Sequence, residues 1–278
     1  MVEVFDERRC KLGEGPIWHR GRGSLLWFDI HSQRLLERQG DRQRSWAFEG
    51  PVSAAGILPD GRILIASHVA LQTFDLDTGV TEVVCPLEAD NAVTRSNDGR
   101  SDPWGGFWIG TMGRRAERGA GAIYRWKGGL KRLFTGITIS NSICFSPDRA
   151  RAYFTDTAAR VIWSVPLDER GWPDGSREVF VDLGDQPGNP DGAVCDTDGF
   201  LWSARWGAGR VVRHAPDGRI DTEIHLPVSQ VTCPAFGGPG FRHLYATTAA
   251  EGVSETEGGM TFLIADDVPG HPEPEVLL

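Results

Sequence analysis

Short apolar segments recur along the chain at nearly regular intervals. Six of them have the length and composition of a buried β-strand, and a turn signal such as Pro59-Asp60-Gly61 precedes most of them. The steps from one segment centre to the next are 37, 44, 45, 49 and 43 residues. The centres are Trp27, Leu64, Trp108, Tyr153, Trp202 and Tyr245.

Short strands that repeat with a period in the forties are typical of a β-propeller. No window has a sustained i, i+3, i+4 apolar pattern, so we expect no long helix. The pattern predicts an all-β fold, a six-bladed β-propeller with four-stranded antiparallel blades, as a single domain over residues 1–278. Because the ring must close, we expect an N-terminal strand at residues 2–5 to pair with residues 260–264 and complete the last blade.

Three of the predicted first strands begin with an oxygen-bearing side chain: Glu14, Asn141 and Asp191. In a propeller the first strand of each blade lines the central channel. The loop after the second strand lies on the face where the first strand begins. We therefore expect the three side chains to meet at one channel mouth. The loops that share this rim contain Asp29, His31, His68, Met112 to Arg115, Trp206 and Glu251.

Two carboxylates and an amide oxygen are suitable ligands for a hard or borderline divalent metal ion. No Cys or His accompanies them at ligand spacing, so we do not expect a structural zinc site. Taken singly, each residue has an ordinary alternative role. Glu14 could be a solvated loop residue, Asp191 a turn residue, and the side chain of Asn141 could form a hydrogen bond with the nearby backbone. Their equivalent positions on three blades favour the metal site.

Arg95 and Asn97 are two residues apart in a predicted strand, so their side chains point to the same side. We interpret them as substrate-binding residues, with an Arg paired to a rim acid and a turn Asn as the alternative. His68 and Trp206 are candidates for lining the funnel, with surface or packing roles as the alternative. Of the adjacent Arg114 and Arg115, one could reach a ligand. Ser142 lacks the G-x-S-x-G setting of a nucleophile elbow, so we do not expect a serine hydrolase.

Composition narrows the class of protein further. The net charge is −9 and no Lys/Arg cluster is present, which argues against a nucleic-acid partner. No stretch of 18 apolar residues indicates a membrane span, and the charged first ten residues lack an apolar signal core, so we expect a cytoplasmic location. The five Cys form no CxxC pair, and we interpret them as reduced, mostly buried thiols.

The motifs together resemble the SMP-30/gluconolactonase/regucalcin-like family of six-bladed propeller sugar lactonases. The resemblance runs from Leu12 to about Met260, and its specificity comes from five motifs in order. These are Leu12-Gly13-Glu14-Gly15-Pro16, Arg95-Ser96-Asn97-Asp98-Gly99 with Phe107 to Met112, Ile139-Ser140-Asn141, Pro190-Asp191-Gly192, and Cys233-Pro234-Ala235-Phe236-Gly237-Gly238.

The resemblance implies a site for one divalent ion at Glu14, Asn141 and Asp191. The ion could be calcium, zinc, manganese, magnesium or iron(II). It also implies that Arg95 and Asn97 contact the substrate and that Asp191 is the general base. The expected reaction is metal-dependent hydrolysis of a sugar lactone to the sugar acid. The alternatives are an aryl-ester or phosphotriester hydrolase on the same scaffold, and a non-enzymatic calcium-binding propeller.

Two positions depart from the family pattern. Many members have Gly after the metal-binding Asn, where this chain has Ser142. Animal members have an acidic, sugar-contacting residue where this chain has Arg115, with Glu117 two residues further on. The second departure is compatible with a lactone that carries an added negative charge. The expected partner is therefore a small-molecule sugar lactone, and we expect a monomer or a weak homo-oligomer.

Overall fold

Six four-stranded antiparallel sheets form the blades of a β-propeller. The computed structural model describes residues 2–265 and 267–278. Strand β1 (Glu3–Asp6) belongs to the last blade. Blade one contains β2 (Gly13–His19), β3 (Ser24–Asp29), β4 (Arg34–Gln39) and β5 (Arg42–Ala47). Blade two contains β6 (Val52–Ile57), β7 (Ile63–Ser67), β8 (Ala70–Phe74) and β9 (Thr81–Pro86).

The remaining blades follow in chain order. Blade three contains β10 (Thr94–Ser101), β11 (Phe107–Gly113), β12 (Gly121–Trp126) and β13 (Leu130–Ile137). Blade four contains β14 (Ser140–Phe145), β15 (Arg151–Asp156), β16 (Val161–Pro166) and β17 (Glu178–Asp182). Blade five contains β18 (Asn189–Cys195), β19 (Leu201–Trp206), β20 (Arg210–His214) and β21 (Ile220–His225). Blade six contains β22 (Val231–Gly237), β23 (His243–Thr248), β24 (Thr261–Ala265) and β1.

The predicted six-bladed fold and its N-terminal closing strand are confirmed. Strand β1 pairs antiparallel with β24, with Glu3 opposite Leu263 and Val4 opposite Phe262. The helices in the described part of the chain are two short 3-10 turns, Thr157–Ala159 and Pro239–Phe241. Within residues 2–265 and 267–278, no helix has the length and apolar character needed to cross a membrane.

The blades hold together through apolar layers between neighbouring sheets. Between blades three and four, the fully buried Trp108 packs edge-on against Phe145, with ring centroids 5.4 Å apart. Full burial of a side chain such as Phe154 stabilises the fold by roughly 1.5–3 kcal/mol. The thiols contribute to the same interior, since all five are free and four are buried.

The first strand of each blade is innermost and contacts the first strands of both neighbouring blades. Each also has a β-bulge, an extra residue that shifts the pairing with the second strand and re-aims side chains. The periodicity of the sequence did not predict these bulges. They fall between Glu14 and Ile17, Val52 and Ala54, Ser96 and Gly99, Asn141 and Cys144, Pro190 and Ala193, and Val231 and Cys233.

Ring closure depends on the buried carboxylate of Asp6 at the end of β1. Its Oδ1 accepts from the backbone N–H of Arg8 at 3.0 Å and from Arg8 Nε at 2.9 Å. Its Oδ2 accepts from Gln43 of blade one at 3.2 Å. The carboxylate therefore ties the closing strand to the first blade.

Replacing Asp6 by Ala should lower the free energy of unfolding by about 2 kcal/mol, because the substitution removes several hydrogen bonds to a buried charge. For a chain of this size the melting temperature should fall by roughly 3–4 °C in thermal unfolding followed by circular dichroism. The exposed neighbour Glu7→Ala is the control and should match the wild type. Equal melting temperatures for the two variants would contradict this role of Asp6.

Candidate active site at the channel mouth

A pocket of about 210 Å³ opens at one mouth of the central channel. The bulged ends of β2, β10, β14 and β18 meet there. The structure brings together most of the residues that the sequence pointed to at this rim. These are Glu14, Arg95, Asn97, Met112, Asn141, Asp191, Trp206 and Glu251.

Two carboxylates, Glu14 and Asp191, are buried at this mouth. The pKa of Glu14 is raised to about 8, chiefly by burial and next by the nearby carboxylate of Asp98. Burial also raises the pKa of Asp191 well above its usual range, with the charge of Glu14 as the next cause. The pocket therefore holds two acids whose ionised forms are poorly compensated by the protein itself.

The amide of Asn141 is held in one orientation. Its Nδ2 donates to the hydroxyl of Thr157 at 2.9 Å, and that hydroxyl donates to the carbonyl of Pro190 at 2.8 Å. Its Oδ1 accepts from Asn97 Nδ2 at 3.0 Å and keeps a second lone pair. Thr157 was not predicted as a site residue. It links Asn141 to the strand that positions Asp191.

The guanidinium of Arg95 is buried and donates to Asn97 Oδ1 at 2.7 Å and to the carbonyl of Ser96 at 2.8 Å. Among the residues that the structure describes, no carboxylate lies within 4.0 Å of it. The alternative, in which Arg95 forms an ion pair with an acid of the rim, is therefore not observed. Burial lowers the pKa of Arg95 to about 10. Its remaining donors are available to a ligand.

Asn97 lies within the bulge of β10 and not in a turn. Besides accepting from Arg95, it donates to the carbonyl of Ser140 at 2.9 Å and to Asn141. Both amide hydrogens are thus used inside the protein. Asn97 connects the arginine to the candidate metal ligand and so orients both.

Two predicted substrate contacts lie outside the pocket lining. His68 is in the two-residue connection from β7 to β8, and its ring packs against Gly50 in a separate depression between blades one and two. Arg115 is exposed because β11 extends to Gly113 and carries the following turn into solvent. The backbone N–H of Arg115 donates to the Glu117 carboxylate at 3.0 Å, so the side chain of Glu117 is turned to its own loop.

Ser142 adopts a left-handed backbone conformation with φ of 57°. Gly15, which follows Glu14 in blade one, has φ of 54°. In blades one and four the residue after the candidate ligand therefore has a conformation that Gly adopts freely and that costs other residues about 1–2 kcal/mol. The buried Ser142 hydroxyl donates to the carbonyl of Asp191, which offsets this cost and ties blade four to blade five.

The donor set fits a divalent ion. Two buried carboxylates and one amide oxygen provide hard oxygen donors, and a dication would neutralise the acids whose pKa values burial raises. In the described part of the chain no group of three or more His, Cys, Asp or Glu side chains is arranged to hold a metal, so the amide oxygen is needed as the third protein donor. Three protein donors leave positions open for water or substrate.

The fold and the polar mouth describe a six-bladed propeller with a pocket at one mouth of the central channel. Comparison with known proteins narrows this class. The family model described as the SMP-30/gluconolactonase/LRE-like region matches residues 12–250, and the chain belongs to this family. The resemblance of its motifs is thereby confirmed.

Similar proteins include two enzymes and one solved structure. The 6-deoxy-6-sulfogluconolactonase of Pseudomonas putida is 35% identical over 274 residues, covering 95% of this chain and 94% of the enzyme. The pentonolactonase of Haloferax volcanii is 35% identical over 282 residues, covering 96% and 94%. The crystal structure of regucalcin, a calcium-binding protein from Agrobacterium tumefaciens, is 42% identical with a TM-score of 0.97, covering 100% of this chain and 98% of that one.

Replacing Asp191 by Asn should raise the melting temperature of the chelator-treated protein, because the isosteric amide removes one of two buried like charges. Because burial raises the pKa of Asp191 well above its usual range, the metal-free wild type loses stability as pH rises above that range, whereas the amide of the variant does not titrate. The gain should therefore be larger at pH 9 than at pH 6. Thermal unfolding at both pH values measures it.

The matched control is Asp217→Asn, because Asp217 also stands between Pro and Gly but is exposed in a turn. This variant should show no gain at either pH. A D191N protein that is less stable than the wild type in chelator at pH 9 would contradict the account of the buried acids.

Proposed function

We propose that the protein hydrolyses a sugar lactone to the corresponding sugar acid and that it needs a divalent metal ion to do so. The observation that carries the proposal is the convergence of Glu14, Asn141 and Asp191 on a pocket that also contains an arginine free of acid partners. The lactonase activity of similar proteins supports the same reaction class.

In the proposed mechanism a metal ion held by the two carboxylates and Asn141 would act as a Lewis acid towards the lactone carbonyl. Asp191 accepts a proton from the attacking water and returns it to the ring oxygen that leaves. Arg95 donates hydrogen bonds to substrate oxygens, and Asn97 holds the guanidinium in place. Trp206 and Leu12 form apolar walls that limit the access of bulk water.

The lining of the pocket favours a polar substrate over the alternatives. Arg95, Thr157, Asn189 and Glu251 surround the candidate metal ligands, and a ring with several hydroxyl groups can bond to such groups. An apolar aryl ester would leave the remaining donors of the buried Arg95 without partners, at a cost of about 1–3 kcal/mol. A propeller that only binds calcium has no need of a general base such as Asp191 next to a metal ion with open coordination positions.

We propose that the substrate is a pentono- or hexono-lactone, including forms with an anionic substituent. Support comes from the sulfogluconolactonase and the pentonolactonase among the similar proteins. We also propose a cytoplasmic location and a monomeric or weakly associated state. The calcium-binding regucalcin makes calcium the first ion to test, beside manganese, magnesium, zinc and iron(II).

The direct test is a pH-indicator assay of chelator-stripped protein with each ion and a panel of lactones and aryl esters. We expect one or more sugar lactones to open well above the spontaneous rate, and only after an ion is added. Faster hydrolysis of aryl esters would favour the alternative hydrolase. No acceleration by folded, metal-loaded protein would favour the binding propeller.

Two variants test the roles of Asp191 and Arg95 in turnover and in substrate binding. Asp191→Asn should lower kcat by roughly 10²- to 10⁴-fold, the usual contribution of a general base. The Asp217→Asn control should retain wild-type kinetics. Arg95→Ala should raise KM about tenfold or more, since a hydrogen bond from a charged group contributes roughly 1.5–3 kcal/mol. Wild-type turnover in the Asp191 variant would remove this residue from the mechanism.

A further inference from the structure

A second buried arginine, Arg100, lies deeper in the channel on the same strand as Arg95. Its guanidinium reaches across the channel to two neighbouring blades. Nε donates to the carbonyl of Ile143 in β14 at 3.0 Å, and Nη2 donates to the carbonyl of Ala193 in β18 at 3.0 Å. Both carbonyls belong to innermost strands, whose channel-facing edges have no further strand to pair with.

The two bonded carbonyls have a specific relation to the pocket. Ile143 is two residues after Asn141, and Ala193 is two residues after Asp191. Ile143 lies within the bulge that follows Asn141, and Ala193 is the first paired residue after the bulge that contains Asp191. Asp98 accepts the backbone N–H of Ile143 at 2.7 Å, so this peptide is held on both sides. Arg100 thus holds both strands at the same position, two residues after the candidate ligand that each strand carries.

The third partner of Arg100 comes from the C-terminal segment. Its Nη1 donates to the carboxylate of Glu273, and the two side chains are only 9% and 10% exposed. The segment is anchored on the far side of the propeller. The N–H of the fully buried Val276 donates to the carbonyl of Ile57 at 2.8 Å, and the N–H of Leu277 donates to the carbonyl of Gly105 at 2.9 Å.

We propose that Glu273 and Arg100 are positioning residues for the metal site at the opposite mouth. Arg100 holds the strands that present Asn141 and Asp191, and Glu273 holds the guanidinium in the orientation that reaches both. The inference rests on the proposed function, because it assumes that these two residues bind a metal ion. A carboxylate at the end of the chain is thereby coupled to chemistry at the other end of the channel.

The test combines three single variants with two measurements that do not depend on turnover. E273Q removes the charge of the carboxylate but keeps its shape. Arg100→Lys keeps the positive charge and the ion pair, but an ammonium group cannot span both carbonyls in the same geometry. E275Q is the control, because Glu275 lies two residues further on and pairs with Arg20 at the surface, where the side chains are 31% and 57% exposed.

Calorimetric titration of the stripped proteins with calcium alone and with manganese alone measures metal affinity. Hydrogen–deuterium exchange of the metal-free proteins measures how firmly β14 and β18 are held. We expect E273Q and R100K to bind the ion roughly 10- to 100-fold more weakly, the usual effect of disturbing residues behind metal ligands. Exchange should be faster in both strands, and E275Q should behave as the wild type.

Each result has a defined meaning. Wild-type affinity and exchange in both variants would overturn the inference while leaving a lactonase that binds metal intact. Weaker binding in E273Q with wild-type binding in R100K would also overturn it, because that pattern is the effect of net charge alone. If E273Q does not fold, R100K decides the question. A wild-type protein that binds no ion would refute both the proposed function and this inference.

Discussion

The innermost strands turn a free edge towards the central channel, and the rest of the structure depends on how these edges are satisfied. A free edge exposes backbone N–H and C=O groups, and leaving such groups buried without partners is costly. Here side chains supply the partners: Arg100 bonds to two carbonyls, Asp98 accepts an N–H, and Ser142 bonds to the carbonyl of Asp191. The same side chains hold neighbouring blades in register, so satisfying the edges also builds a rigid frame beneath the pocket.

At the mouth of the channel this frame supports groups that oppose stability. Glu14 and Asp191 are buried close together, and the protein offers Arg95 as the nearest opposite charge without a direct ion pair to either acid. Such an arrangement is unfavourable for folding but suits the binding of a dication and the transfer of a proton. The bulges permit it, because they turn the side chains at strand starts into one pocket without breaking the sheets.

Much of this organisation was predictable from the sequence, for physical reasons. Blade number follows from the period of the apolar segments, and the closeness of Glu14, Asn141 and Asp191 follows from their place at strand starts. The bulges, the role of Thr157 and the Arg100–Glu273 pair depend on contacts between residues far apart in the chain, which spacing alone does not reveal. His68 and Arg115 were placed at the correct ends of their strands. His68 lies outside the pocket because the connection from β7 to β8 is short, and Arg115 lies outside it because β11 extends to Gly113.

The most direct test of the account is to locate the metal. A crystal soaked in manganese and measured for anomalous scattering should show one strong peak at the channel mouth, within ligand distance of Glu14, Asn141 Oδ1 and Asp191, roughly 2.0–2.6 Å for oxygen donors to hard cations. A peak bound by all three residues would establish the site on which the proposed mechanism depends. A peak elsewhere with none at this mouth, in crystals of a protein that still hydrolyses lactones, would contradict it.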